Sequence, residues 1–433
     1  IMKFVRDGYV NKKNKEKRFI DIENIKKTEK FKSGIMASYN ISILKNDSLI
    51  NNDILHQYFT ELNKYHSVPV LISEYSVPSG RMAGEFIKSD ENGYITEKEQ
   101  GNMLIETYKA IKESGCVGGI LFEWQDSWYR SSWNTKELFI LDKSAYWSNA
   151  QVFSQNFGLI SFEPGDEKET SYPDESINEW GYNDILGSNN GVNLSMKYDE
   201  KYLYFLVELN KPIDEQDRVY IDLDVTPNSG VNKYDEKDLT FENNVDFIID
   251  LGKEDSKVLV HEYYDTFKFI ENRNELKVDP NKIDVQKNGE RFSVVRLPSK
   301  EKSYSEVTNT FKDAKSYETG KLVLGNGNPK SEEFNSVADY YINNNYIELR
   351  IPWGLLNFKD PSTKSIIDDF YKTFSFDSKK IDYINVGVTI KNNNGESSRI
   401  ASKRFNLTSW VKPKYHERLK ESYYMLKEEF NKK

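Results

Sequence analysis

Two well-separated segments of this chain share one pattern, a short apolar run that ends on a carboxylate. The first is residues 69–78, Pro-Val-Leu-Ile-Ser-Glu-Tyr-Ser-Val-Pro, and its acid is Glu74. The second is residues 118–126, Gly-Gly-Ile-Leu-Phe-Glu-Trp-Gln-Asp. Two apolar runs with a helical segment between them predict parallel strands joined by a crossover. Their polar residues then collect at the carboxyl edge of one sheet, so the first part of the chain is predicted to be α/β.

The segments around these strands carry helix signals. Residues 52–65 place apolar side chains at the spacing of one helix face. Thr96-Glu-Lys-Glu99 is a capping box that predicts the start of a second helix, and Gly115 is expected to end it. Residues 34–39 predict a further buried strand.

Length and charge limit the classes of protein. A chain of 433 residues is expected to hold two or three domains. The net charge of −9, from 60 basic and 69 acidic residues, argues against nucleic acid and anionic lipid as partners. No apolar run reaches the length of a transmembrane helix. The amino-terminal residues 1–7 lack the apolar core of a signal peptide, and we expect the chain to begin within a domain.

The cysteine and histidine content gives no metal or redox signature. Cys116 is the single cysteine and is predicted to be a small buried side chain. The four histidines show no metal-ligand spacing, and two of them are predicted to lie on the surface, His56 and His66.

From about residue 160 the pattern changes to short alternating strands separated by Asn, Gly and Asp turns. Seven strands are predicted, at Leu194–Tyr198, Tyr202–Leu209, Arg218–Asp224, Asp246–Leu251, Lys257–Tyr263, Tyr346–Ile351 and Tyr383–Ile390. They favour an antiparallel β-sandwich. Residues 270–340 are predicted to be a long insertion between strands, and residues 413–430 a C-terminal helix. The predicted fold class is therefore α/β followed by all-β.

The first part of the chain resembles the C-terminal portion of a clan A glycoside hydrolase barrel, most like family 2. The resemblance covers roughly residues 30–157 and rests on Pro-Val-Leu-Ile-Ser-Glu-Tyr. It implies that residues 34–39, 68–75 and 117–124 are the last three strands of a (β/α)8 barrel, within a domain spanning 1–157. It also implies that Glu74 is the nucleophile of a retaining hydrolase and that Trp124 is the platform beneath the sugar.

Further residues are assigned to substrate binding on the same resemblance: Tyr39, Asn40, Asp126 and Trp128. Asp126, like Asp142, has the alternative of a turn or surface acid. Trp128 and Trp133 follow the last predicted strand, where barrel loops form the substrate rim. They either stack on sugar or seal the barrel against the following domain.

Two departures from the family pattern bear on activity. Retaining hydrolysis needs a second carboxylate roughly 5 Å from the first, and the strand that carries this acid in the family has no counterpart here. A His-x-Tyr pair of the family is replaced within Tyr39-Asn-Ile-Ser42. Glu123 adjoins Trp124 and is expected to point to the other face of its strand. The barrel part is accordingly either a fragment or a relic.

The second part, residues 158–433, resembles family 9 carbohydrate-binding modules. The resemblance rests on Glu179-Trp180, on 198–204 (Tyr-Asp-Glu-Lys-Tyr-Leu-Tyr), on 220–230 (Tyr-Ile-Asp-Leu-Asp-Val-Thr-Pro-Asn-Ser-Gly) and on 347–353 (Ile-Glu-Leu-Arg-Ile-Pro-Trp). Two tryptophans of these motifs are predicted to fill the core, Trp180 and Trp353. Asp222, Asp224 and Asn228 suit either a structural calcium or an Asx turn. No other cofactor or metal is predicted.

Three functions follow as hypotheses, and all of them have carbohydrate as partner. The first is a polysaccharide-active, retaining hydrolase-like protein whose acid half, the N-terminal part of the barrel, is a further partner. The second is a non-catalytic accessory protein of cell-surface polysaccharide handling, and the third is an adhesion module. An extracytoplasmic or cell-surface location is favoured. The junction 143–165 carries too many aromatic residues for a loose tether and is predicted to be packed.

Overall fold

A computed structural model describes residues 34–42, 52–83, 93–167, 170–278, 285–300, 315–392 and 397–432, with short pieces at 9–10, 17–18, 29, 303–305, 310–312 and 394–395. The first of these pieces are two short antiparallel strands, β1 (Tyr9–Val10) and β2 (Lys17–Arg18). Most of the remaining residues before 34 lie outside the described part of the chain.

Three parallel strands and two helices form an α/β unit. The strands β3 (Ala37–Ser42), β4 (Val70–Ser76) and β5 (Gly118–Leu121) lie side by side in chain order. Helix α1 (Asn52–Tyr65) and helix α2 (Glu97–Glu113) are the crossovers between them. The predicted parallel strands and the capping box at Thr96 are therefore confirmed.

One apolar cluster holds this unit together. The faces of α1 and α2 that the spacing predicted to be apolar are buried against the strands. The cluster includes Leu55, Phe59, Leu62, Ile72, Tyr75, Leu104, Ile111 and Cys116. The other face of the sheet is open to solvent, where Ile120 is 54% exposed.

The rest of the chain is mostly antiparallel sheet. Its strands are β6 (Ile160–Pro164), β7 (Ile185–Asn189), β8 (Val192–Tyr198), β9 (Tyr202–Glu208), β10 (Arg218–Asp224), β11 (Val231–Tyr234), β12 (Leu239–Val245), β13 (Phe247–Leu251), β14 (Lys257–His261), β15 (Phe292–Val294), β16 (Leu297–Lys300), β17 (Ser303–Ser305), β18 (Thr310–Lys312), β19 (Lys315–Tyr317), β20 (Tyr340–Asn343), β21 (Tyr346–Pro352), β22 (Phe358–Asp360), β23 (Ser365–Ile367), β24 (Ser378–Lys380), β25 (Tyr383–Lys391), β26 (Ser397–Asn406) and β27 (Tyr415–Leu419). Helices α3 (Thr266–Val278), α4 (Phe370–Thr373) and α5 (Glu421–Phe430) complete the described regular structure, with several short 3-10 turns.

Two of these sheets form a sandwich around a single apolar core. One sheet has the strand order β15-β14-β13-β10-β25-β26 and the other β20-β21-β9-β8-β7. Alternate residues from both sheets meet in one cluster, for example Phe205, Ile221, Ile249, Ile347 and Val388. All seven strands predicted from alternation are present, with ends that differ by one or two residues.

The C-terminal segment differs from its prediction. Residues 415–419 form β27, which pairs antiparallel with β6, and only 421–430 are helical. The prediction of one helix over 413–430 was wrong because its first apolar residues also fit the two-residue period of a strand. The strand partner, β6, lies far away in the sequence, so local spacing carries no signal for it.

Helix α5 packs on α2 and so returns to the α/β unit. Leu426 belongs to the same apolar cluster as Leu104 and Ile111. Gly101 of α2 faces α5 closely: a Cβ there would lie 2.6 Å from Met425 Sδ and 3.1 Å from Ser422 Cα. The sandwich therefore lies, in chain order, between the last strand of the α/β unit and a helix that packs on that unit.

The junction between the two units is packed, as its aromatic content predicted. Trp147 and Val152 are buried in the sandwich core, whereas Leu159 is buried in the α/β cluster. The junction thus contributes side chains to both cores.

The α2–α5 contact gives a first prediction. Gly101→Ala raises helix propensity by about 1 kcal/mol but places a methyl group against the backbone of α5. Overpacking of this kind costs about 1–3 kcal/mol, so we expect a net loss of stability in urea unfolding. Glu106→Ala, at an exposed position of the same helix, is the control and should not destabilise the protein. A Gly101→Ala protein more stable than wild type would contradict the packing.

Candidate functional site

Glu74 lies at the carboxyl end of the central parallel strand and is held by its neighbour. Asn40 of β3 is paired in register with Glu74 of β4. Asn40 Nδ2 donates to Glu74 Oε2 over 3.0 Å, and Asn40 Oδ1 accepts from Ser73 Oγ over 2.8 Å. The second bond fixes which way the Asn40 amide points, so its NH2 group faces the carboxylate.

Trp124 follows β5 and presents an exposed ring. It is 57% exposed, and its indole meets Tyr423 edge to face at a centroid distance of 6.0 Å. Its carbonyl oxygen accepts hydrogen bonds from the amides of Leu159 and Ile160. The backbone of Trp124 is therefore fixed, while much of its ring area is free to contact a ligand.

Tyr39 lies on the opposite face of β3 from Asn40, because adjacent residues of a strand alternate. Its hydroxyl is hydrogen-bonded to His66 Nε2 at 2.5 Å. His66 is only 8% exposed, so its predicted surface position was wrong. The tyrosine ring shields His66, which lies just past the end of α1.

Asp126 is buried in an ion pair. Lys420 Nζ lies 2.8 Å from Asp126 Oδ1, which also accepts from the amide of Gly158. Burial raises the pKa of Asp126, although Lys420 opposes the shift. Lys420 is 2% exposed, and sequence reasoning missed it because a lysine between a leucine and a glutamate looks like a surface residue.

The two loop tryptophans have different environments. Trp128 is 8% exposed and meets Tyr415 at a ring distance of 6.1 Å. Trp133 is 43% exposed, and Asp142 lies exposed at a 3-10 turn.

The structure therefore brings Asn40 and Glu74 together and leaves Trp124 exposed. It places Tyr39, Asp126 and Trp128 in buried or partly buried contacts of their own.

Glu123 is engaged in an ion pair with Arg130. Its carboxylate is 2.8 Å from Arg130, whose guanidinium stacks on the Phe122 ring. Burial raises the pKa of Glu123, and the charge of Arg130 opposes this shift. Because β5 ends at Leu121, Glu123 lies in the following loop, where the alternation of a strand does not set its orientation.

The residues considered for calcium have protein partners. Asp222 is ion-paired with Arg399 at 2.8 Å, and Asp224 accepts from Asn385. Asn228 has a left-handed backbone (φ 62°), as in a turn. Among the described residues, no group of three or more His, Cys, Asp or Glu side chains is arranged to hold a metal ion.

The motif tryptophans of the sandwich have structural contacts. Trp353 is 1% exposed and donates to the carbonyl of Asp199. Trp180 is half-buried, donates to Glu348 Oε1 over 2.7 Å and lies beneath Lys197. Burial raises the pKa of Glu348 well above its usual value.

Comparisons with protein-family models, with curated proteins and with solved structures find no match for this chain. Within the described residues, no helix is both long and apolar enough to cross a membrane.

The Asn40–Glu74 contact gives a second prediction. Asn40→Asp places a carboxylate about 3 Å from Glu74, and repulsion between like charges at this range costs roughly 1–3 kcal/mol. We expect the free energy of unfolding to fall by this amount at pH 7 and to recover at pH 4, because protonation removes the repulsion. Ser38→Asp, at an exposed position of the same strand, is the control and should show a smaller pH dependence. Equal behaviour of the two variants would show that residue 40 does not face Glu74.

Proposed function

We propose that this chain is a polysaccharide-active protein with a retaining glycoside hydrolase-like site, in which Glu74 occupies the nucleophile position. The observation that carries the proposal is the Asn40–Glu74 pair at the carboxyl end of a parallel sheet, with the exposed ring of Trp124 after the next strand. Sugar hydrolysis uses a positioned carboxylate and an aromatic ring that stacks on the sugar, and here the two follow adjacent parallel strands.

The hydrogen bond from Asn40 suits a nucleophilic carboxylate. It uses Oε2, and within the described part of the chain Oε1 has no hydrogen-bond partner. In the proposed reaction Oε1 attacks the anomeric carbon and forms a glycosyl-enzyme, which water then hydrolyses. The Asn40 amide restricts the rotation of the carboxylate, which reduces the entropy lost on reaching the attacking geometry.

The general acid of this reaction is not assigned to any residue of the chain. Glu123 and Asp126 are engaged with Arg130 and Lys420. In the proposal, the three parallel strands correspond to the last three of a barrel, and the acid comes from a complementary barrel half. The open face of the sheet, with Ile120 exposed, is where such a half would pack.

The second candidate is a non-catalytic carbohydrate-binding or accessory protein. The observation in its favour is that the neighbour of Glu74 is a neutral amide, where the family pattern leads us to expect a His-x-Tyr pair. In this case Glu74 and Asn40 would bind sugar hydroxyls and Trp124 would stack on the ring. The two candidates share a binding surface and differ in turnover.

The shared binding surface gives a third prediction. Trp124→Ala should weaken oligosaccharide binding roughly tenfold, about 1.4 kcal/mol, because it removes the stacking surface. Ligands selected on a glycan array would be measured by isothermal titration calorimetry. Tyr182→Ala is the matched control, since Tyr182 is an exposed aromatic residue (88%) on the sandwich. Loss of binding in Tyr182→Ala but not in Trp124→Ala would place the sugar on the sandwich and contradict the proposed site.

Turnover separates the two candidates. We expect this chain alone to release no nitrophenol from nitrophenyl glycosides, and a complementary barrel half supplied in trans to restore release that Glu74→Gln abolishes. Persistent inactivity with the complementary half, together with retained binding in Glu74→Gln, would favour the accessory protein. Activity of the chain alone that depends on Glu74 would show that the acid lies within it.

A further inference from the structure

A charged cavity lies between the α/β unit and the sandwich. The loop after β4, the start of α2 and the segment before α5 line one side of it, and residues of β9, β21 and the loop before β20 line the other. The cavity volume is about 70 Å³. None of the candidate sugar-binding groups Asn40, Glu74 and Trp124 lines it.

The cavity lining contains more cations than acids. Five cationic side chains and four carboxylates line it: Arg81, Lys201, Arg350, Arg418 and Lys420, with Glu97, Asp126, Glu163 and Asp339. Three of the cations take up all four carboxylates, in the pairs Arg418 with Glu97 and Glu163, Lys420 with Asp126, and Arg81 with Asp339. Lys201 and Arg350 have no ion pair among the described residues. The lining therefore carries one formal positive charge in excess.

Arg350 is buried, and a hydrogen bond from its Nε orients its guanidinium group. It is 6% exposed, its Nε donates to the carbonyl of Ala338 over 2.9 Å, and its guanidinium lies 5.0 Å from the ring centre of Tyr202. Neither terminal NH2 group donates to an acceptor within the described part of the chain. A Cβ at Gly327 would lie 3.2 Å from Arg350 Nη2, so the glycine keeps the space beside it. An arginine held in this way presents a fixed pair of donors that matches an oxyanion.

Lys201 supports the same site. Its Nζ lies 5.3 Å from the ring centre of Tyr202, the ring that also stacks with Arg350. Burial lowers the pKa of Lys201, but Tyr202 and the carboxylate of Glu163 outweigh burial, so that the pKa is raised and the ammonium group stays charged. Burial also opposes ionisation of Glu163, while Arg418 and Lys201 lower its pKa.

We propose that this cavity binds a small oxyanion between the terminal NH2 groups of Arg350 and Nζ of Lys201. A buried and a partly buried cation that have no ion pair among the described residues are costly, and one bound monoanion would neutralise the single excess charge and accept their hydrogen bonds. This chemistry is shared by the carboxylate of an acidic sugar and by inorganic phosphate. The inference stands on the cavity alone and does not depend on the proposed function.

The test is isothermal titration calorimetry of the full chain at low ionic strength, where screening is weak. Glucuronate and inorganic phosphate are the two anionic probes, and glucose is the neutral one. We expect saturable binding of at least one anion, weakened tenfold or more in Lys201→Met and retained in Lys201→Arg. Lys412→Met removes an exposed lysine of the same unit and should bind like wild type.

A stability measurement separates binding from a structural role. Without anion, Lys201→Met should melt at the same temperature as wild type or higher, because it removes a partly buried charge that has no ion pair among the described residues. With anion, only wild type should gain stability. Binding of glucuronate alone identifies a carboxylate ligand, and binding of phosphate alone identifies a phosphate group.

Several results would overturn the proposal: no saturable anion binding to wild type, equal binding of glucose, or equal anion affinity in Lys201→Met. If Lys201→Met does not fold, Arg350→Lys decides, since it keeps the charge and loses the paired donors. Unchanged anion affinity in Arg350→Lys would then count against the site.

Discussion

The arrangement of the two units depends on a few buried ion pairs made by the end of β27 and by the residue that precedes α5. Arg418 lies between two carboxylates, 2.6 Å from Glu97 at the start of α2 and 2.7 Å from Glu163 of β6. Two residues later, Lys420 contacts Asp126 in the loop after β5. Removing one partner of a buried pair leaves an uncompensated charge and costs about 3–5 kcal/mol, so these contacts specify one position for this segment. The apolar packing of α5 on α2 and the pairing of β27 with β6 both follow from that position.

The candidate site is built on the rigid part of the α/β unit. Glu74 and Asn40 belong to adjacent strands whose opposite face is packed by helices, so their separation is set by strand pairing. Trp124 belongs to the loop after the third strand, and its backbone is fixed by the junction that also fills both cores. A carboxylate and an aromatic ring held in this way are preorganised for a ligand. Leu159 and Ile160 of the junction hold the backbone of Trp124, and Glu163 of the same junction pairs with Arg418. The site therefore adjoins these ion pairs.

Sequence reasoning recovered the elements whose signals are local. The strands around Glu74 and 118–121, the capping box at Thr96 and the seven sandwich strands each follow from spacing within a few residues. It failed where the deciding partner is distant: β27 pairs with β6, Lys420 with Asp126, and His66 with Tyr39. A lysine is the same residue type whether it is buried or exposed, and only the tertiary structure shows which lysine is removed from solvent. The contact between Asn40 and Glu74 depends on the register of two strands, which a single sequence does not encode in any local pattern.

The position of α5 has a consequence for the order of synthesis. The strands and helices of the α/β unit leave the ribosome before the sandwich, whereas α5, whose Leu426 packs with Leu104 and Ile111, leaves it after the sandwich. Until then, the α/β unit exposes an apolar groove along α2, and the nascent chain must keep this groove from pairing wrongly while the sandwich is being made. The packing of α5 on α2 is thus the step that covers this groove.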